Sequence, residues 1–381
     1  MLKIEDYNKN EIVGKASLPN RFIRAFKPVL FESGGFPITV EYEQELIRYI
    51  DSMHAYSLKR HFDELCKGLT NKEFELLKKT TADIYNLTKE LYNGDFLVKA
   101  PMLASLFEKR IIDAVSTDKN KKIMEIGGGS GILGCILLND DRKYISTDVT
   151  QSFYLIQNRL YEYISKNGVN ELVTDELDKN SSCIHVPYWK MWETRYNPID
   201  VDILTSNHAL LEMSQNSLRF YLNYFKNAMD RNNGALVFQG GGWRIHQNLV
   251  DLINLFDEHG YKLQYFDHHN EALAFSTTGE SLKDEVIKKL NILLQNPKTD
   301  KIHALGENII SRLGNGKIYY CDELGHKIKN HFDDINKEEK ITYSMLINYY
   351  DTFNNIKESY DDEFGDYISP QSIQKSKVRK K

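Results

Sequence analysis

The chain has little cysteine, no long apolar run and no strong charge of either sign, and each shortage closes off a class of protein. Only four cysteines occur in 381 residues: Cys66, Cys135, Cys183 and Cys321. They lie far apart, follow no metal-ligand spacing, and suit buried thiols in a reducing compartment. No stretch reaches the about 18 consecutive apolar residues that a membrane-spanning helix needs. A net charge of −5 offers no electrostatic footprint for nucleic acid. The opening MLKIEDYNKNE is polar and acidic, unlike a secretory signal. Internal repeats and long low-complexity segments are also lacking. What remains is 41 % hydrophobic and 27 % charged residues, the balance of an ordinary globular protein. The expectation is a cytoplasmic protein of one large domain with appendages, or of two domains.

Three regions follow from texture. Residues 1–116 read as an N-terminal helical region. Its first 40 or so residues are irregular, punctuated by Pro19, Pro28, Pro37 and the Gly34-Gly35 pair. Helical spacing then predicts helices from Val40 to about Cys66, from a cap at Asn71 to Tyr92, and from Met102 to Val115. Residues 117–280 alternate short apolar runs with helices, which implies a parallel sheet covered on both faces. The runs are Lys122–Ile126, Lys143–Thr147, Ser182–Val186, Asp202–Ser206, Ala235–Gln239, Lys262–Phe266 and Glu271–Ser276. Only four residues separate the last two runs, too few for a crossover, so these pair as an antiparallel hairpin. The fold class is therefore α/β: a Rossmann-like, seven-stranded, mostly parallel sheet with an antiparallel closing hairpin, plus N-terminal and C-terminal helical additions. Residues 281–381 read as lysine-rich and mostly helical, with a helix over Lys337–Tyr360, a small hairpin around Asp322–Gly325 and a basic tail from Ser369.

The richest chemistry lies in KKIMEIGGGSGILG, Lys121–Gly134. A strand ending near Ile126 runs into Gly127, Gly128, Gly129 and Gly131, and an apolar helix follows. Glycines let such a turn adopt backbone angles closed to other residues and let a ligand approach the main chain. The first N–H groups of the helix then face that ligand. Two motifs overlap: GxGxxG over Gly129–Gly134, and acid-x-G-x-G-x-G over Glu125–Gly131. A dinucleotide loop places its first glycine directly after the strand. Counted from Gly127, the third glycine of that pattern falls on Ile132, so the register favours S-adenosylmethionine (SAM). Asp148, at the tip of the second strand about 20 residues on, is placed to accept hydrogen bonds from ribose hydroxyls, a rule that NAD and SAM sites share. As a lone residue its alternative reading is a helix cap before Thr150–Arg159. Pro187, Tyr188 and Trp189, after the third strand, read either as an adenine wall or as core.

Ligands of open α/β sheets sit beyond the carboxyl ends of the strands. The fourth strand ends there in Asn207-His208-Ala-Leu-Leu-Glu212-Met213. Asn207 is a candidate for the amino-acid end of the cofactor and His208 for a general base. A helical turn beginning at Asn207 would place Glu212 on the face of His208, where it would orient the imidazole and raise its basicity. Methyl transfer needs chiefly alignment, and a base adds roughly 10²–10⁴-fold. His268-His269 look like metal ligands, but neighbours in a strand point to opposite faces; no metal is expected. Gly240-Gly241-Gly242-Trp243 follows the fifth strand and reads as a second close-approach loop or a plain turn. The aromatic segments Tyr221–Phe225 and Tyr343–Tyr350 read as core.

Glu125–Gly131, Asp148 and the Asn207-His208…Glu212-Met213 segment together resemble the class I SAM-dependent methyltransferases, and within them a bacterial sugar O-methyltransferase family. The resemblance spans about residues 95–280. It implies SAM as cofactor, Glu125 at the methionine end, and a sugar or other small hydroxylated metabolite as acceptor. It does not extend to the lysine-rich C-terminal region, and Val-Thr-Gln-Ser stands after Asp148 where the family commonly has Leu-Pro-Glu. Competing readings are a SAM enzyme that attacks another carbon next to sulfur and releases methylthioadenosine, an NAD-dependent oxidoreductase, and a SAM-binding scaffold. No nucleic-acid or membrane partner is expected, and the helical additions suit a homodimer contact.

Overall fold

A computed structural model describes residues 1–28, 38–50, 58–65, 68–94, 96–229, 234–240, 248–268, 270–294 and 317–353. Its centre is a nine-stranded sheet in the order β3-β4-β2-β1-β5-β6-β8-β7-β9. The strands are β1 (Lys122–Ile126), β2 (Lys143–Thr147), β3 (Asn170–Glu171), β4 (Cys183–His185), β5 (Ile203–Asn207), β6 (Ala235–Gln239), β7 (Lys262–Asp267), β8 (Ala272–Ser276) and β9 (Ile318–Tyr320). The first six pair in parallel, while β8 is antiparallel to β6 and to β7. All seven expected runs form strands, and the last two make the closing hairpin. The two strands that patterning missed are a two-residue edge piece, β3, and β9, which pairs with β7 from beyond residue 316.

From β1 the chain winds outward through α6 (Ile132–Asn139) to β2, and through α7 (Gln151–Ile164) toward β4. It then crosses to the far side of β1 and continues through β5, α9 (Gln215–Met229), β6 and α10 (Leu249–Glu258). Right-handed crossovers running in opposite directions place the two sets of helices on opposite faces. Strands covered on both faces must be apolar throughout, and β6 is buried at every position. The order reverses between β1 and β5, so the crevice at their carboxyl ends is the switch point of the sheet.

The N-terminal residues depart from expectation. Ile4–Ala16 (α1) and Asn20–Ala25 (α2) are helical, where irregular chain is expected. Proline at position 19 does not break structure there; it stands in extended backbone just before α2. Both helices are held by long-range packing that no local pattern announces. Gly14 lies so close to the Trp189 indole that a Cβ would come within 2.4 Å of it, and Phe22 packs against Trp192 and Phe220, each at 5.0 Å. The long expected helix over 40–66 is instead a 3-10 segment, Glu43–Tyr49, and a short α3, Leu58–Glu64; 51–57 and Cys66 lie outside the described residues. Asn71–Tyr92 forms α4, but Thr70 rather than Asn71 is its cap, in a capping box with Glu73. Ala100–Val115 forms α5. Helices α8 (Tyr188–Glu193) and α11 (Lys283–Leu294) follow β4 and β8.

The hairpin expected around Asp322–Gly325 is not formed. β9 leads directly into α12 (Asp322–Ile335). Gly325 is a close-approach glycine: a Cβ there would meet the Gln264 carbonyl oxygen at 2.1 Å. Of the helix expected over 337–360, Tyr343–Asp351 (α13) falls among the described residues. Among those residues no helix is long and apolar enough to cross a membrane.

Candidate cofactor and acceptor site

The glycine loop starts where the strand stops. Gly127 donates its N–H to the Thr147 carbonyl at 2.9 Å, and Gly131 donates to Gly128 O at 2.8 Å, closing the turn. Gly127, Gly129 and Gly131 have φ of 67°, 53° and 79°, backbone that side chains with a Cβ rarely adopt. Among the described residues no side chain caps the N-terminus of α6. At Gly127 a Cβ would stand 2.9 Å from the Ala209 Cβ and 3.2 Å from the Met213 Cε. Residues 82 and 86 positions apart in sequence thus converge at the crevice, and the segment carrying His208 lies against the loop.

Asp148 is buried at 5 % exposure and binds the loop from the side. Its carboxylate accepts from Gly129 N at 3.1 Å, from Thr150 N at 2.8 Å and from Gln157 Nε2 at 3.4 Å. The Val149 main chain bonds to it as well, so four donors surround the carboxylate. Burial raises Asp148 to about 6, against the pull of those N–H groups. Asp148 thus braces the turn, while the N-cap of α7 is Thr150.

Glu125 lies beneath the loop, 1 % exposed, and accepts from the Tyr144 hydroxyl. Burial raises it to about 7; the Tyr144 hydrogen bond opposes the shift, and the field of Asp148 adds to it. Its carboxylate is close enough to Gly128 that a Cβ there would touch it at 3.2 Å. The acid thus supports the turn from below.

Asn207 ends β5, and His208 follows with φ of 59°. The helical turn on which the Glu212 pairing depends does not start at Asn207: the left-handed residue breaks it, and a 3-10 turn begins only at Leu210. Imidazole Nδ1 instead meets the Asn207 side-chain oxygen. An amide oxygen only accepts, so this contact puts the proton on Nδ1 and makes Nε2 the basic nitrogen. Backbone N–H of His208 donates to Gln239 O at 2.9 Å. Gly240, with φ of 60°, makes room for the ring: a Cβ would fall 2.4 Å from Nε2. Positions 241–243 and His269 lie outside the described residues. Tyr188 and Trp189 are both buried, and the Trp189 ring packs edge-on against Tyr7 at 5.3 Å.

Several groups escaped sequence reading. Gln239, in register with Asn207, is 2 % exposed, and its side-chain oxygen finds no partner among the described residues. The same holds for the Tyr7 hydroxyl on α1, pushed well above its usual pKa by burial, with the fields of Glu11, Tyr188, Asp148 and Glu171 adding. Glu108 on α5 is wholly buried under Thr205, its carboxyl raised by burial and by the nearby Glu125. A polar residue in a helix normally reads as solvent-facing, so Tyr7 and Glu108 give no signal, and Gln239 is one polar residue at the end of an apolar strand.

No family model matches the chain. A release factor glutamine methyltransferase of Mycoplasma mycoides subsp. mycoides SC is 24 % identical over 217 residues, covering 52 % of this chain and 76 % of that protein. Among solved structures, a TehB-like SAM-dependent methyltransferase of Corynebacterium glutamicum aligns with a TM-score of 0.35 at 17 % identity, over 45 % of this chain and 87 % of its own. Magnesium protoporphyrin IX methyltransferase of Synechocystis, solved with SAM bound, aligns with a TM-score of 0.34 at 9 % identity, over 55 % and 99 %. The strand order, with its switch between β1 and β5 and its antiparallel β8, is that of a Rossmann-like, mostly parallel α/β sheet. The loop tolerates no Cβ at Gly127, and the Asp148 carboxylate holds its Gly129 N–H.

Proposed function

We propose that this protein is a SAM-dependent O-methyltransferase acting on a hydroxyl of a sugar or other small metabolite. The observation that carries the reading is the contact of Gly127 with Ala209 and Met213, which brings the loop and the His208 segment to one crevice. The main chain of Gly127–Gly131, Asp148 and Asn207 would hold the cofactor, with Glu125 and Gly128 supporting the turn. SAM would supply an activated methyl group on a sulfonium. The work left to the chain is to align the acceptor oxygen and take up its proton. His208 would do the second at Nε2, its tautomer set by the Asn207 amide. The unpartnered Gln239 side-chain oxygen beside Asn207 would accept from a hydroxyl of the acceptor. Glu212 would partner the imidazole from the 3-10 turn Leu210–Glu212 rather than from a helical turn begun at Asn207.

A second reading is transfer to a side-chain amide nitrogen of a protein, favoured by the glutamine methyltransferase similarity. Incubation with SAM and panels of sugar nucleotides and glutamine-bearing peptides, read by mass spectrometry, separates the two. Methylated sugar with S-adenosylhomocysteine supports the first reading, and methylated peptide replaces it with the second. Methylthioadenosine in place of S-adenosylhomocysteine overturns both. For the first reading, His208→Ala should lower kcat by roughly 10²-fold or more while leaving S-adenosylhomocysteine affinity in place.

A further inference from the structure

We propose that Gln157 on α7, braced by a buried His185–Glu171 pair, is the positioning residue that presents the glycine loop and Asp148 to the cofactor. This rests on the SAM reading only for its consequence, because the bracing itself is a property of the free protein. Gln157 is fully buried beneath the loop. A Cβ on Gly128 would lie 3.4 Å from its Nε2, and one on Gly131 would lie 2.9 Å from its Cγ. Its Nε2 donates to the Gly129 carbonyl at 2.7 Å and reaches Asp148 at 3.4 Å. A carbonyl only accepts, so the amide orientation is fixed by the loop itself.

The other end of the amide is fixed in turn. Oε1 accepts from Ser146 Oγ at 2.9 Å and from His185 Nε2 at 3.2 Å. That nitrogen must therefore carry a proton. His185 Nδ1 faces Glu171 Oε2 at 2.9 Å, and Asn158 Nδ2, Val173 N and the Tyr154 hydroxyl all donate to the same carboxylate. The Tyr154 ring stacks on the imidazole at 3.7 Å and keeps it in plane. The chain of bonds runs from the rigid edge of the sheet, through β3 and β4, to the main-chain atom that shapes the loop. Buried networks of this kind rigidify when every member is satisfied.

Two variants test the assignment. In Gln157→Glu the ionised carboxylate cannot donate to Gly129 and repels Asp148, whereas the protonated acid can donate to Gly129 and still accept from His185. Gln157→Met fills the space without either bond. Amide hydrogen exchange over 127–131 in the ligand-free protein should speed up about tenfold or more in both variants at about pH 8, the scale of one lost buried hydrogen bond. At about pH 5.5 protection should return in the Glu variant and not in the Met variant, because burial favours the neutral acid. S-adenosylhomocysteine affinity should follow the same pH pattern. Wild-type protection in both variants at about pH 8, or equal loss in both at each of these pH values, would overturn the proposal. If loop protection responds as described but wild-type protein binds no S-adenosylhomocysteine, the SAM reading fails and the positioning role stands.

Discussion

At the scale of single residues, the site is built by glycines that no other residue can replace and by acids held out of water. Gly127→Ala should abolish S-adenosylhomocysteine binding in a calorimetric titration, because its φ of 67° and the Ala209 Cβ at 2.9 Å both oppose the added methyl. Gly240→Ala should act differently: the new Cβ would push the His208 ring while the cofactor loop stays intact. Cofactor affinity should hold and kcat should fall, measured in the same assay. The buried acids give a pH signature. Glu125 is raised from 4.5 to about 7, so the native state holds its proton where the unfolded chain has lost it. The unfolded state binds fewer protons across that window, and stability contributed by this group falls as pH rises from about 4.5 to about 7. In urea denaturation, Glu125→Gln should flatten the decline over that window relative to wild type, by an amount on the order of 3 kcal/mol. A wild-type and variant difference that stays constant with pH would contradict this account.

At the scale of elements, strands were legible and helix termini less so. All seven main strands declare themselves by short apolar runs between turns, since burial on both faces leaves no alternation to misread. β3 and β9 were missed for a physical reason: at two and three residues they carry too little pattern, and β9 gains its partner, β7, only through tertiary pairing. Gly325 illustrates the limit best. In sequence it reads as a turn; in the fold it lets α12 touch the Gln264 carbonyl of β7. Gly325→Ala should therefore separate α12 from the sheet and destabilise the protein by about 1–3 kcal/mol or more in chemical denaturation. Spacing alone placed the glycine loop, Asp148, Asn207 and His208 at the carboxyl ends of their strands, where the fold has them. The helical turn expected at Asn207 does not form, because one left-handed residue at 208 breaks the register. Gln157, His185 and Glu171 were invisible, since three polar residues on three different elements meet only through the fold.

At the scale of the whole molecule, the N-terminal helices close the sheet edge that carries the crevice. Leu2 N donates to Asn158 Oδ1 at 2.9 Å, Gln151 Nε2 donates to Asn8 Oδ1 at 2.8 Å, and Ser214 Oγ donates to Ala25 O at 3.0 Å. Buried Leu2, Ile4, Tyr7, Leu18 and Phe22 anchor them, at about 1.5–3 kcal/mol for each apolar side chain withdrawn from water. The helices thus hold the beginning of α7, the loop after β5 and the polar network beneath the glycine turn in one assembly. The central claim is that this assembly seats an adenosyl group against Gly127–Gly131, with its ribose on Asp148. A crystal structure of the protein with S-adenosylhomocysteine tests it most directly. The account predicts the nucleoside over the glycine turn, a ribose hydroxyl on the Asp148 carboxylate and the sulfur facing His208. Density for the ligand at any other place, or a ribose turned away from Asp148, would contradict it.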